Sequence, residues 1–298
     1  MDIQKIINEL FYNGIIHSNT ITFEELNGGT SSKLYLLERS GTENCVVKMN
    51  DPQVLKSEVL YLDSYKKINL LPNLLYVEQS YKYIVYSYIA GDTDQVRNDK
   101  SYILHKLVLE LINNYTTVPT SNRWGWEDDS AETWPDFLLN EGNEAKTILG
   151  TLLKNEDYIL IDHLIKSPKR IPLNEEPFLL HGDCGIHNFI FNNAQLSGVI
   201  DPTPLLGLPL YDLIYAFCSS PDDLSKQTIE YAANHLVTKW DGKEQHLYEE
   251  VLIGLFLRLA TCMKHHPSDL EDYLKAWSYW KTIVRNSCNT TEGRSTEP

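Results

Sequence analysis

The stretch from His181 to Asp201 constrains this chain more than any other. It opens with His181-Gly182-Asp183-Cys184-Gly185-Ile186-His187-Asn188, runs on as FIFNNAQLSGVI and ends on Asp201. Asn192-Asn193 in the middle of that run is a turn signal, so the run is expected to fold as a short hairpin. Asn188 then enters one strand and Asp201 leaves the other. Two oxygen-bearing side chains fall close together, with Asp183 five residues upstream of Asn188.

An Asp followed five residues later by an Asn is the spacing of a kinase catalytic loop. The chemistry explains it. The Asp meets an attacking hydroxyl, and the Asn binds magnesium on the far side of the same phosphate. Asp201, closing the strand Gly198-Val199-Ile200, stands where a second metal ligand belongs, since a hard cation with phosphate partners takes oxygen ligands. His181 is expected to be structural, because general-base work already falls to Asp183. His187 has two open readings, contact with phosphate or packing.

The first 90 residues are built differently from the rest. A helix is expected over 2–13, with Ile3, Ile6, Ile7, Leu10 and Phe11 near helical spacing. Short strands follow over 19–26, 32–39 and 43–50, then a helix over 53–67 started by Asp51-Pro52, then strands over 73–79 and 81–88. Connections this short favour antiparallel pairing. Alternation places Lys48 on the third strand, where it suits the α- and β-phosphates of a nucleotide, and Glu58 on the next helix is its natural ion-pair partner. Gly28 and Gly29, in Asn27-Gly28-Gly29-Thr30-Ser31-Ser32, allow backbone N–H groups to approach phosphate.

Ala90-Gly91-Asp92-Thr93-Asp94 breaks the pattern and is the expected boundary between a nucleotide-binding lobe (1–90) and a helical lobe (91–298). Helices are expected over 97–116, 142–167, 210–217, 221–239, 244–265 and 268–286, and strands over 177–181, 188–192 and 195–201. The tail NTTEGRSTEP is expected to be disordered. Trp124-Gly125-Trp126-Glu127-Asp128-Asp129 reads as a loop. Carboxylates beside tryptophans suit a cationic ligand, and tryptophans anchored in the core are the plainer alternative.

Composition narrows the partners. A formal net charge of −15 argues against nucleic acid, where affinity comes from neutralising phosphates, and is compatible with a cationic substrate or with solubility alone. No apolar run is long enough for a membrane span. The N-terminus lacks the basic start and apolar core of a signal peptide, which points to the cytoplasm. The five cysteines are widely spaced and without a CxxC pair, so free thiols are expected. His265-His266 points two ways on a helix and reads as surface.

These residues resemble the aminoglycoside phosphotransferase family, which is itself similar to choline, fructosamine and homoserine kinases. The family pattern HGDxxxxN, then IDxxxxxxGDPxxDL, reads here HGDCGIHN, then IDPTPLLGLPLYDL. The resemblance spans nearly the whole chain, including the glycine turn, VVK, the helix Glu and the linker VYSYIAGDT. It implies an α+β, two-lobe, protein-kinase-like fold with a small antiparallel-sheet N-lobe and a larger, mostly helical C-lobe. It implies Asp183 as catalytic base, Asn188 and Asp201 as Mg2+ ligands, and Lys48, Glu58, Gly28, Gly29, Ser87 and Ile89 on the nucleotide side. Asp212 matches a carboxylate that braces the loop. Leu208 replaces the acid usual in GDP, Pro202 replaces a frequent aromatic, and Tyr115 stands near where a histidine often ends the first large-lobe helix.

The expected activity is transfer of the ATP γ-phosphate, with GTP as the alternative donor, to a hydroxyl of a small aminoglycoside-like or otherwise amino-bearing molecule. One rival is a metabolic kinase for fructosamine, choline or a similar compound. Another is a nucleotide-binding protein without catalysis, against which the intact set Lys48, Asp183, Asn188 and Asp201 speaks. A monomer or homodimer is expected.

Overall fold

The computed structural model describes residues 2–18, 20–26, 32–39, 41, 43–93, 99–119, 121–167, 176–237 and 244–292. The chain forms two compact units. One takes in Met1–Val96 and Asn188–Pro204, the other Arg97–His187 and Leu205–Pro298.

The first unit is a five-stranded antiparallel sheet with helices on both faces. Its strands are β1 (Thr22–Leu26), β2 (Lys33–Glu38), β3 (Cys45–Met49), β4 (Leu74–Val77) and β5 (Tyr83–Ser87), in the order β1-β2-β3-β5-β4. Side chains alternate between faces along each strand. Leu37, Cys45, Val47, Met49, Tyr83 and Val85 therefore pack with Ile6, Ile7 and Leu10 of α1 (Ile3–Tyr12). Leu36, Val46, Ile84 and Tyr86 face the other way, with Leu55 of α2 (Pro52–Ser64). Lys48 shares its face with Val46, which turns it toward α2. Asp51 caps α2 by accepting from the Gln53 N–H at 2.8 Å, with Pro52 at the first helical position.

The hairpin of β9 (Phe189–Asn192) and β10 (Gln195–Val199) belongs to this unit. Its turn is centred on Asn193-Ala194, one residue later than Asn192-Asn193, and both residues are left-handed, at φ 49° and 62°. A type I′ two-residue turn, which matches the twist of right-twisted strands, takes positive φ at both central positions. Asn tolerates that and Ala does not signal it. Asp92 and Phe191 exchange backbone hydrogen bonds at 3.0 and 2.9 Å, and the Val199 N–H donates to the Leu70 carbonyl at 2.7 Å.

The second unit carries a four-stranded sheet. β11 (Leu205–Gly207) pairs with β6 (Trp124–Trp126) on one side and β8 (Phe178–Leu180) on the other, and β7 (Ser130–Ala131) pairs with β6. Its helices are α3 (Lys100–Glu110), α4 (Trp134–Leu149), α5 (Asn155–Ile165), α6 (Leu210–Cys218), α7 (Lys226–Ala233), α8 (Glu244–His265) and α9 (Leu270–Glu292). Several expectations are corrected here. Trp124–Trp126 is a strand rather than loop, and Glu127–Asp129 is the turn of its hairpin. One expected helix over 142–167 is two, divided at Gly150–Lys154, and the first begins at Trp134, capped by Thr133. Ser225 caps α7 and confines it to 226–233. α9 continues to Glu292, into the tail expected to be disordered.

Cys45, Cys184, Cys218 and Cys262 are buried free thiols. No helix among the described residues is long and apolar enough to cross a membrane.

Gly91 is held at φ 147°, and a Cβ there would lie 2.4 Å from the Phe191 carbonyl oxygen. Gly91→Ala should therefore push the linker off β9 and destabilise the first unit by about 2 kcal/mol. The shift in urea midpoint of the purified variant measures it.

Candidate functional site

The expected site residues fall into two sets, one in each unit. Lys48 is buried at 2 % side-chain exposure, and its Nζ donates to Glu58 Oε2 at 2.6 Å. The same ammonium ion-pairs with Asp201, whose side chain is 42 % exposed. Burial works to lower the Lys48 pKa, but the charges of Glu58 and Asp201 outweigh it and hold the ammonium above its ordinary value. Burial pushes Glu58 up, and Lys48 draws it partly back. The pair is charged, because each member supplies the counter-charge that the other's burial demands.

Asp201 reaches Lys48 from a left-handed backbone, φ 60°. That conformation is uncommon for a residue with a Cβ and costs about 1 kcal/mol. Asn188 is buried, and its carbonyl accepts the Ile200 N–H at 2.9 Å, which ties the entry of the hairpin to its exit. Asn188 and Asp201 thus offer an amide and a carboxylate oxygen, one buried and one open to solvent. Among the described residues no group of three or more His, Cys, Asp or Glu is arranged to hold a metal. A two-oxygen set of this kind suits an ion that takes its other ligands from phosphate and water, as magnesium does.

Ser87 uses its hydroxyl to accept the Asn73 N–H at 2.8 Å and donates its own N–H to the Asn73 carbonyl at 2.9 Å. Ile89 packs directly over Gly198, where a Cβ would approach it to 2.6 Å. Gly28 and Gly29 lie outside the described residues.

In the second unit α6 holds the loop that begins at His181. Asp212, fully buried, accepts the His181 N–H at 2.8 Å, the Gly182 N–H at 3.1 Å and the Tyr115 hydroxyl at 2.7 Å. Gly182 adopts φ 81°, which explains the glycine of the motif: this turn presents successive N–H groups to one carboxylate. One helical turn on, the Tyr215 hydroxyl donates to Asp183 Oδ1 at 2.6 Å. After the helix, Ser219 Oγ accepts the Ile186 N–H at 3.0 Å. His187, half exposed, places Nε2 3.2 Å from the Asp183 carboxylate. Burial works to raise Asp183, but the bonds from His187 and Tyr215 prevail and hold it below the ordinary carboxylate range. Burial pushes Asp212 up to about 6 against its three donors.

Leu205 lies opposite both Trp126 and Leu180, so the acidic turn Glu127–Asp129 leaves the sheet at the end where β8 runs into His181. Trp124 and Trp134 are buried in an aromatic cluster with Phe137 and Tyr211, as the anchored reading expects. Trp126 donates its indole N–H to Glu141 Oε1 at 3.4 Å. Burial raises the Glu141 pKa; the Trp126 bond opposes it, and Glu144 and Asp129 add to the rise. Sequence reasoning missed Tyr215, Ser219 and Glu141. Only Tyr215 carried a signal, its place three residues after Asp212 on one helix face.

A sheet with a buried lysine–glutamate pair, followed by a mostly helical unit, is a kinase-like architecture. The chain belongs to the phosphotransferase enzyme family, whose model matches residues 22–243. No curated protein sequence matches it. Among solved structures it is similar to a thermostable mutant of an aminoglycoside phosphotransferase in ternary complex with ADP and hygromycin B (18% identity, TM-score 0.61, 96% of this chain and 98% of that one). It is also similar to choline kinase from Cryptosporidium parvum Iowa II (12%, TM-score 0.61, 97% of each chain). A third is a macrolide 2'-phosphotransferase from Brachybacterium faecium (12%, TM-score 0.57, 92% and 97%). At these identities the likeness is one of fold.

Asp212 holds its proton more tightly folded than unfolded. Its contribution to stability is full below about pH 4, its unfolded value, and is lost as pH rises through about 6. Tyr115→Phe removes a donor to the charged form, so the folded pKa should climb and the loss should extend to higher pH. Denaturant midpoints of both proteins from acid to neutral pH test this, and superimposable curves contradict it.

Proposed function

We propose that the protein transfers the γ-phosphate of ATP, with GTP as the alternative donor, to a hydroxyl of a small amino-bearing molecule. The observation that carries this reading is Lys48, buried and locked between Glu58 and Asp201. An ammonium has three N–H groups. Two are engaged by the carboxylates, and the third is left for the nucleotide's phosphates. Membership of a phosphotransferase family supports the same reading, as does the nucleotide bound by the hygromycin B enzyme.

In this reading Asp183 accepts the proton of the acceptor hydroxyl while its oxygen bonds to the γ-phosphorus and the bond to the ADP oxygen breaks. Its lowered pKa keeps it ionised at neutral pH, and an ionised carboxylate is what orients an incoming O–H. Asn188 and Asp201 would hold Mg2+, which when bound neutralises phosphate charge. Lys48 offsets charge on the α- and β-phosphates, and Glu58 keeps Lys48 in place. Ile89 and the backbone at Ser87 are assigned to the nucleotide base, and Gly28 and Gly29 to the phosphates.

Two substitutions separate these roles. Asp183→Asn should leave nucleotide affinity nearly unchanged and lower kcat by about 10³-fold, the scale of general-base catalysis. Asp201→Ala should abolish the magnesium dependence of nucleotide binding. Isothermal titration with ATP, with and without magnesium, and a coupled assay of ADP release read the two effects. The assay runs against a panel of aminoglycosides, choline, fructosamines and amino acids. A kcat retained by Asp183→Asn would defeat the assignment.

The acceptor reading rests on the acidic turn Glu127–Asp129, at the sheet end that feeds the Asp183 loop, and on Glu141 behind it. An ammonium there would gain several partly exposed ion pairs, each worth up to about 1 kcal/mol, beside the face of Trp126. Replacing Glu127, Asp128 and Asp129 by their amides should raise acceptor KM and leave nucleotide KM alone. Added salt should raise acceptor KM as well, because exposed attraction is screened within about 10 Å at 0.1 M. Initial rates on the best acceptor of the panel, varied in salt, decide it. An acceptor KM indifferent to both would remove the cationic requirement.

A further inference from the structure

We propose, on the reading of Asp183 as the base, that Ser219 is a positioning residue: it clamps the loop at Ile186, beyond Asp183, and so fixes where the carboxylate stands before any substrate arrives.

The loop from His181 is held along α6 at two points. Asp212, near the start of the helix, accepts the His181 and Gly182 N–H groups at 2.8 and 3.1 Å. Ser219, which caps the end of the helix, accepts the Ile186 N–H at 3.0 Å. At the helical rise of 1.5 Å per residue, positions 212 and 219 lie about 10 Å apart. The four residue steps from Gly182 to Ile186 reach about 14 Å when fully extended. The Gly185 N–H donates to the Asp183 carbonyl at 2.8 Å, and this tight turn takes up part of that length. The loop also lies close against the helix, since a Cβ on Gly185 would come within 3.2 Å of the Tyr215 ring. Little slack is left between the clamps, so the backbone of Asp183 goes where its two ends are held.

The Ser219 hydroxyl is oriented from inside its own helix. It is 5 % exposed, and it donates its proton to the Ala216 carbonyl at 2.8 Å. A hydroxyl has a single O–H and two lone pairs, so Ser219 turns a lone pair to the Ile186 N–H. Its own N–H donates to the same Ala216 carbonyl at 3.3 Å. The Tyr215 hydroxyl, from the same helix, then meets a carboxylate whose backbone is already fixed. A reacting group misplaced by about 1 Å loses on the order of 10²-fold in rate, so a clamp on the same short loop as the base bears on kcat.

In Ser219→Ala the Ile186 N–H loses this acceptor. The rate of slow MgATP hydrolysis, with water as acceptor, should fall about tenfold while the KM for ATP stays within about twofold, because the loss falls on the placement of Asp183 and not on nucleotide binding. A double-mutant cycle separates this from a merely structural role. With Asp183→Asn in place, Ser219→Ala should lower the remaining rate by less than about twofold, since the group it positions is gone. Ser220→Ala is the control: it removes a hydroxyl contact with Lys100 at the same helix end and should keep the rate within about twofold of wild type. If Ser219→Ala fails to fold, the wild-type protein serves. Hydrogen exchange at its Ile186 amide, followed by NMR, should be slowed at least about 100-fold against an unstructured chain. Wild-type hydrolysis in Ser219→Ala, losses that multiply in the double variant, an equal loss in Ser220→Ala, or an Ile186 amide that exchanges freely overturns the inference. Hydrolysis at the wild-type rate in Asp183→Asn would instead overturn the reading of Asp183 as base.

Discussion

A lysine ammonium almost free of water organises the first unit. Burying one charge alone costs several kcal/mol, and the cost is offset only by well-placed counter-charges. Glu58 is brought by α2, and α2 is aimed by its Asp51-Pro52 start. Asp201 is brought by the β9–β10 hairpin, which is clipped to the unit by the Asp92–Phe191 exchange and the Val199–Leu70 bond. The strained backbone of Asp201 fits the same demand. Three separate elements are thus held in register by one cation, and removal of either carboxylate leaves the buried Lys48 with a single counter-charge.

The second unit solves the converse problem with a buried anion. Among the described residues no lysine or arginine is paired with Asp212. It is satisfied by two backbone N–H groups and a tyrosine hydroxyl, and this shapes the loop at His181-Gly182 before any side chain of that loop is considered. The C-terminal end of α6 is tied down as well. Lys100 donates to the carbonyls of Ser220 and Asp222, and the Tyr273 hydroxyl donates to the Cys218 carbonyl while accepting from Arg258 Nε. Cations and donors at that end also complement the helix dipole. Rigidity of α6 is therefore rigidity of the loop.

How much of this could be read from the sequence depends on the range of each signal. The Lys48–Glu58 ion pair, and the tie between Asn188 and the exit of the β9–β10 hairpin, were legible because short connections set their spacing. The five strands around Lys48 were legible because alternation and turn residues are local. The strands Trp124–Trp126 and Leu205–Gly207 were not, because three residues containing a glycine show no alternation, and pairing across some 80 positions supplies what propensity lacks. The division of 142–167 into two helices was missed because apolar spacing continues across the break. Glu141 was invisible for a different reason: it matters only because Trp126, from a separate strand, folds over it.

The same distinction bears on specificity. The solved structures similar to this chain are named for work on hygromycin B, choline and macrolides, while sharing its fold at TM-scores of 0.57 to 0.61. A fold that hosts such different compounds does not select among them. Selection falls to side chains that the scaffold presents but does not require. In this chain the Lys48 set is required, since its members neutralise one another. Glu127, Asp128, Asp129 and Glu141 are not members of that set, and burial, with Glu144 and Asp129 adding to it, raises the Glu141 pKa. Like charges gathered at one place are a cost to the folded protein, and a cation there would relieve it. In the proposed reading, a cationic acceptor would be drawn to that acidic turn.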